Sequence, residues 1–448
     1  MQTTRIKMIL GMPAVALVTL VLGASCSSAV PLRLDVRSEN RRILIPGPGD
    51  GTIQVQVIAP DVPYPADRPK VNLALVIDRS GSMGEARKLE YVKTAAHQLI
   101  ELMGSDDILS VVAYDHQVSV LFPARRVDGN REALHRIVES LYPGGQTFLS
   151  GGLEEGFRQA RSARRNGYIN RVLLLSDGLA NVGTVSRDAL RRRAATMAEY
   201  GISVSTFGVG HHFDEELLTM TANGGGGNYR YLGDPERIVA ALSSEFHMAS
   251  RTAASDVEII IRLKGDCRFG SVVGREWRRD GDAHIIRLGD LSAGERRTLF
   301  ASLNVSASRP GLREVGEVTV RYRDPASGKS VTGASQPVSL ELVRDEAHYR
   351  EGFDRSVQEK KAVAQSSVMV QEAAQLADQG KKEEAREMLG KAAAGLAAAP
   401  PSPAVRAEIE KTNEYRDKLD SMKDMSSDEA KGAQKAIKYR SYEMLYQQ

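Results

Sequence analysis

Between residues 71 and 250 the chain alternates short, almost unbroken apolar runs with amphipathic stretches. The runs at 73–77, 108–114, 172–175 and 202–209 are dominated by Val, Ile and Leu, and read as strands. The stretches at 86–103, 149–163, 187–200 and 235–246 space their apolar residues as helices do. A strand that is apolar at successive positions is one covered on both faces, which in practice means helices on either side of a sheet. The alternation therefore predicts an α/β unit built on a doubly wound, mostly parallel sheet of Rossmann-like type.

The flanks follow a different pattern. Residues 32–36 and 53–58 read as strands, the second with Ile53, Val55 and Val57 alternating against Gln54 and Gln56. Gly47-Pro48-Gly49-Asp50-Gly51 forms a turn between them, and 60–69 is a proline-rich connector. Past residue 255 strand signals return at 257–263, 285–288, 299–305, 315–322 and 338–343, with no helical stretch between them. Turns such as Asp280-Gly281-Asp282 separate these runs, so an antiparallel β-sandwich is expected. The two early strands are expected to join it, making the α/β unit an insertion between strands of a β domain. From 345 onward the chain is rich in Ala, Glu, Lys and Gln and reads as helix. Residues 373–396, broken at Gly380, resemble one helical hairpin of tetratricopeptide type, too little for an array. A second helical segment is expected over 404–446, its packing not set by the sequence. The resulting map is a leader over 1–25, early strands and linker over 31–69, the α/β domain over 70–250, the sandwich over 251–344 and a helical region over 345–448.

Composition adds two restrictions. The 448 residues carry a formal net charge of only +3, without a basic stripe interleaved with aromatics, so nothing favours a nucleic-acid partner. Arg5 and Lys7 precede an apolar run over 8–23 and the small residues Ala24 and Ser25, the plan of a secretory signal. Leu22-Gly23-Ala24-Ser25-Cys26 resembles a bacterial lipobox, although Gly23 stands where an aliphatic residue is usual. Lipidation at Cys26 and ordinary cleavage after Ala29 both remain open. In the first case Ser27 supplies no aspartate retention signal, and the resemblance implies an outer-membrane or cell-envelope lipoprotein facing the periplasm, held to the membrane by its lipid. Cys267 is the only other cysteine, so no intrachain disulfide is expected.

The chemistry concentrates in three short segments. Asp78-Arg79-Ser80-Gly81-Ser82 follows the apolar run 73–77, placing a carboxylate at the carboxyl end of a strand, where open α/β sheets bind ligands. One carboxylate and two hydroxyls form a hard-oxygen set suited to Mg²⁺, Mn²⁺ or Ca²⁺. Taken alone, the same pattern also describes a helix N-cap or an Asx-turn. Gly144-Gly145-Gln146-Thr147 brings another hydroxyl just before a helix, and Ser176-Asp177-Gly178 a second aspartate after the run 172–175.

Together these three segments resemble the metal-ion-dependent adhesion site of von Willebrand factor A domains. The resemblance implies direct metal ligation by Ser80 and Ser82, ligation by Thr147 directly or through water, and water-mediated binding by Asp78 and Asp177. It implies Mg²⁺, with Mn²⁺ or Ca²⁺ as alternatives, and a protein partner that offers the ion an acidic side chain. No enzymatic step is implied, and Ser176-Asp177 has no motif-placed histidine for a hydrolase triad. Phe207-Gly208-Val209-Gly210 and the glycine-rich 223–228, followed by Tyr229 and Tyr231, match the usual end of such domains. The wider arrangement is similar to bacterial A-domain proteins resembling inter-α-trypsin inhibitor heavy chains, some of whose relatives are labelled calcium-activated chloride channels. After residue 23 no apolar stretch approaches the ~20 residues of a spanning helix, so the channel label does not fit. The functional expectation is a cell-envelope binding protein, with a regulatory or structural subunit of an envelope enzyme or transport complex as the alternative.

Overall fold

The computed structural model describes residues 31–446, apart from 62–67, 307, 334, 423 and 425–426. The leader and Cys26 lie outside the described residues, as does most of the proline-rich connector. Three strands open the chain: β1 (Arg33–Ser38), β2 (Arg42–Leu44) and β3 (Asp50–Ile58). The α/β unit follows, with β4 (Lys70–Asp78), α1 (Lys88–Leu102), β5 (Ile108–Tyr114), β6 (Val118–Arg126), α2 (Arg131–Glu139), α3 (Leu149–Ser162) and β7 (Tyr168–Ser176). It continues through α4 (Arg187–Glu199), β8 (Ile202–Val209), α5 (Glu215–Gly225), β9 (Gly226–Leu232) and α6 (Arg237–Ser250).

The six strands stand in the order β6-β5-β4-β7-β8-β9, all parallel except β6 at one edge. Along β4 the side chains divide by parity. Val71, Leu73, Leu75 and Ile77 pack with Leu89, Val92 and Leu99 of α1 and Phe246 of α6, while Ala74 and Val76 pack with Leu149 and Leu153 of α3. That two-sided packing explains the unbroken apolar run. Because β5 and β7 flank β4 on opposite sides, the carboxyl end of β4 is the switch point of the sheet. Several elements of this unit, α2, β6 and α5 among them, escaped the periodicity. The edge strand β6 carries Pro123, which an edge tolerates, and α5 ends in glycines that read as a turn. Gly224 and Gly225 close that helix, and Gly226, at φ 67°, starts β9.

The remaining strands are β10 (Thr252–Leu263), β11 (Cys267–Val272), β12 (Arg278–Asp280), β13 (Ala283–Ser292), β14 (Arg296–Val305), β15 (Gly311–Arg323), β16 (Ser330–Thr332) and β17 (Gln336–Val343). One sheet runs β1-β3-β14-β11 and the other β12-β13-β10-β15-β17-β2, with β16 beside β15. Their inner faces share a core that includes Ile53, Val55, Ile259, Ile261, Leu299 and Val320. Strand β3 pairs antiparallel with β14, from Ile58 opposite Arg296 to Asp50 opposite Asn304, and the α/β unit is inserted between β3 of one sheet and β10 of the other. The sandwich departs from pure antiparallel order at one place, where β2 runs parallel to β17. With only three residues, and reached by crossing between sheets, β2 has no hairpin to set its direction.

Helices α7 (Glu346–Arg350), α8 (Arg355–Asp378), α9 (Lys382–Ala397), α10 (Pro403–Ser421) and α11 (Asp428–Tyr446) complete the chain. Gly380, at φ 77°, turns α8 into α9, and Ala373, Ala377, Ala385 and Leu389 fill the seam with Tyr415 and Leu419 of α10. The last segment is two helices rather than one, and the structure supplies the packing that the sequence left open. Helix α11 lies on the α/β unit itself, with Tyr442 buried in that unit's core. Among the described residues no helix is long and apolar enough to cross a membrane.

Candidate metal centre

Each segment singled out in the sequence lies on the rim at the carboxyl ends of β4 and β7. Asp78 is the last residue of β4 and is fully buried. Its Oδ1 accepts the Ser80 N–H at 2.8 Å, an Asx-turn that bends the chain immediately after the strand. Its Oδ2 accepts the Ser176 hydroxyl at 2.8 Å. Burial pushes the Asp78 carboxyl up to about 6, against the pull of the Ser80 amide and hydroxyl and the Ser176 hydroxyl. The Ser80 and Ser82 hydroxyls lie 3.3 Å apart, and Ser82 Oγ donates to Asp177 Oδ1 at 2.8 Å.

Thr147 joins this set through the backbone. Gly81 N–H donates to Gly145 O at 3.2 Å, and Gly144 N–H to Arg79 O at 2.7 Å, stitching the glycine-rich loop to the first loop. The third loop is fixed by Asn181, whose N–H donates to Thr147 O and whose Oδ1 accepts Thr147 N–H at 2.9 Å. Gly178 allows the close approach. A Cβ there would stand 3.2 Å from Thr147 Oγ1 and 3.7 Å from Ser82 Oγ, intruding on the hydroxyls. The structure thus brings Asp78, Ser80, Ser82 and Asp177 into one hydrogen-bonded set, with Thr147 against it.

Three partners went unread in the sequence. Ser176 was visible in its motif but not as the hydroxyl that holds Asp78, and Asn181 carried no signal. Lys88 is the third. A helix from residue 86 was expected, but Ala86 and Arg87 take left-handed φ values of 48° and 57°, and α1 starts at Lys88. This turn aims the buried Lys88 ammonium at Asp177 Oδ2, 2.7 Å away, and at Ser82 O, 3.3 Å away. Non-glycine residues in that region carry strain, which clusters at functional sites.

Among the described residues no group of three or more His, Cys, Asp or Glu side chains is placed to hold a metal. The rim offers instead two carboxylates and three hydroxyls, oxygen donors that fit a hard cation such as Mg²⁺ or Ca²⁺ and not zinc or copper. Other histidine, tryptophan and arginine side chains of the chain have structural partners. His211 Nδ1 meets the Tyr231 hydroxyl at 2.8 Å, and Trp277 packs on Phe269 and His284. Arg191 pairs with Glu276, and Arg193 with Glu154.

The family model of the von Willebrand factor type A domain matches residues 72–242. The chain contains a von Willebrand factor type A domain. Such domains mediate protein–protein interaction and commonly bind a divalent metal ion. An uncharacterised protein of Synechocystis is 29% identical over 299 residues, 64% of this chain and 70% of its own length. Human inter-alpha-trypsin inhibitor heavy chain H3 is 28% identical over 158 residues, 34% of this chain but only 18% of the heavy chain. The likeness to the heavy chain is therefore confined to about a third of this chain. A solved von Willebrand factor type A structure from Catenulispora acidiphila shares the fold, at a TM-score of 0.74 and 18% identity. The match covers 93% of this chain and 97% of that one.

Proposed function

We propose that this protein is a cell-envelope binding protein whose A domain holds a divalent cation, Mg²⁺ in the first instance, to capture an acidic side chain of a protein partner. The observation that carries the reading is the donor set: three loops deliver three hydroxyls and two fully buried carboxylates to one rim. Ser80, Ser82 and Thr147 are the candidate direct ligands, and Asp78 and Asp177 the carboxylates behind them. A cation held mainly by neutral oxygens keeps enough positive charge to attract a carboxylate from outside. The chain's own residues hold that geometry. Ser176 fixes Asp78, Asn181 fixes Thr147, and Gly178 leaves the approach open. The signal-like N-terminus and Cys26 support export and a lipid anchor in the outer membrane, facing the periplasm.

The test is Mg²⁺ binding by calorimetry together with pull-down from envelope extracts, with and without EDTA, for the native chain, Asp78→Ala and Thr147→Ala. Both variants are expected to lose Mg²⁺ heat, and both the variants and EDTA should release the same captured proteins. Undiminished Mg²⁺ binding in folded Thr147→Ala, or capture indifferent to EDTA, would overturn the reading.

A further inference from the structure

A second constellation lies away from the rim, between α1 and α2. His97 is nine residues along α1 from Lys88, roughly 14 Å at 1.5 Å per residue, so it belongs to a different part of the surface. Its Nδ1 faces His135 Nδ1 of α2 at 2.7 Å, with the two rings 4.9 Å apart and tilted by 30°. On the outer side, His97 Nε2 donates to Glu139 Oε1 at 2.8 Å, and His135 Nε2 donates to Glu101 Oε1 at 2.8 Å. The four side chains form a near-symmetric row, Glu139–His97–His135–Glu101.

Proton accounting decides what such a row can hold. An ionised carboxylate only accepts, so each glutamate requires a proton on the Nε2 that meets it. A neutral imidazole then has its lone pair on Nδ1, and the row points two lone pairs at each other. Two neutral rings would repel at this separation, so a positive centre belongs between them. Either an extra proton or a metal ion satisfies that requirement. The outer glutamates favour the metal, because a metal-ligating histidine donates its other ring N–H to a carboxylate, which fixes the tautomer and the ring plane. Here that arrangement is present twice, facing inward.

The geometry points to a two-histidine site for a divalent transition ion of the imidazole-binding class, with Zn²⁺ as the first probe. At Zn–N distances of about 2.0–2.1 Å a tetrahedral ion spreads its two nitrogens to about 3.3 Å, so the rings must part by roughly 0.6 Å. Side chains that are 26% and 32% exposed have room for that movement. The same exposure leaves the remaining coordination positions to water, which agrees with the lack of a third His, Cys, Asp or Glu ligand among the described residues. The ion would brace α1 against α2, and its nitrogen ligands separate it chemically from the hydroxyl rim.

The experiment is a Zn²⁺ titration by calorimetry of the full chain in excess Mg²⁺, which keeps the rim from contributing. One Zn²⁺ equivalent is expected in the native chain and in Asp78→Ala. His97→Gln and His135→Gln should lose it, and Glu101→Gln or Glu139→Gln should bind 10–100-fold more weakly. Nitrogen-15 NMR of the native protein supplies a readout independent of any variant: Zn²⁺ should shift the Nδ1 signals of His97 and His135 and leave Nε2 protonated. Unshifted Nδ1 signals, or equal Zn²⁺ binding in His97→Gln, would show a shared proton instead and overturn the assignment. Because Asp78→Ala is expected to keep the zinc heat, failure here is distinguishable from failure of the rim.

Discussion

Replacing Lys88 by Met tests how the rim is balanced. The ammonium is 2.7 Å from Asp177 Oδ2 and 3.3 Å from Ser82 O, and Lys88 and Asp177 are 6% and 0% exposed. Methionine keeps most of the volume and removes the charge, so the carboxylate is left buried with the Ser82 hydroxyl as its remaining side-chain donor among the described residues. Breaking a buried pair from one side costs about 3–5 kcal/mol. At about 2–4 °C per kcal/mol for a domain of this size, the metal-free variant should melt roughly 10 °C below the native protein.

The sign with metal is the informative part. A cation at the rim supplies the positive charge that Lys88 supplied, so Mg²⁺ should return part of the lost stability to Lys88→Met. The native protein gains about 2.7 kcal/mol from ligand at a hundredfold excess over Kd, and the variant should gain more. Every 1.4 kcal/mol of extra recovery corresponds to a tenfold tighter Kd, so recovery of about 2 kcal/mol predicts Mg²⁺ binding roughly 30-fold tighter. Differential scanning calorimetry in EDTA and in Mg²⁺, with calorimetric Kd values for both proteins, measures each quantity. The reasoning fails if Lys88→Met melts with the native protein in EDTA. It also fails if the deficit is the same with and without Mg²⁺, because Lys88 and the cation would then not share Asp177.

Two further substitutions test contacts that hold the units together. Burial pushes the Glu215 carboxyl up from its ordinary 4.5 to about 7, although Lys438 and Lys435 of α11 and the Tyr229 hydroxyl pull it down; Asp378 of α8 adds to the rise. Its proton is held by the folded state over that interval, so this contribution to stability is complete below about pH 4.5 and lost as pH rises through about 7, up to about 3 kcal/mol in all. Glu215→Gln should flatten that slope in urea unfolding between pH 5 and 8, and an unchanged slope would refute the assignment. Arg171, 2% exposed, bonds Glu245 of α6 at 2.7 Å and Asp290 of the sandwich at 2.6 Å. Arg171→Met should cost about 3–5 kcal/mol in urea unfolding by stranding Glu245, with partial rescue by Glu245→Gln; a loss below 1 kcal/mol would show the network to be dispensable.

Sequence periodicity reached the α/β unit because its information is local. Two-sided burial of β4 gives the unbroken apolar run from Leu73 to Ile77, and the strand's end then locates Asp78 without knowledge of any neighbour. The hydroxyls of Ser80, Ser82 and Thr147 were legible for the same reason, since each sits in a short loop beside a recognisable element. What was not legible depends on residues far apart in the chain. Lys88 meets Asp177 across 89 positions, through a left-handed turn at Ala86 and Arg87 that no propensity suggests. His97 and His135 are each unremarkable on their own helices, and only the packing of α1 on α2 turns two lone pairs toward each other. Edge elements such as β2 and β6 escaped because three residues, or a proline, leave no period to read.

The helical tail is where local and tertiary information diverge most. Tyr439, Tyr442 and Tyr446 recur at spacings of three and four, one face of a helix, yet nothing in that stripe names its partner. In the structure the Tyr442 hydroxyl accepts the Tyr229 N–H at 3.1 Å, and the Tyr442 ring stands edge-on to the Tyr229 ring. Lys435 Nζ donates to Phe213 O at 2.9 Å, so the loop after β8 is held from the tail side. At the far end of α11 two sandwich arginines satisfy helix carbonyls: Arg275 bonds Leu445 O at 2.6 Å, and Arg297 bonds Tyr446 O. Terminal carbonyls have no intrahelical partner and carry the negative end of the helix dipole, so two guanidiniums there are favourable on both counts. Helix α11 therefore spans the seam between the A domain and the sandwich. A chain ending before Asp428 would expose the Tyr229 amide and leave Arg275 without the carbonyl and ring it now meets. The tail thus completes the fold of the A domain and is not an appendage to it, even though its sequence marks it as a separate segment.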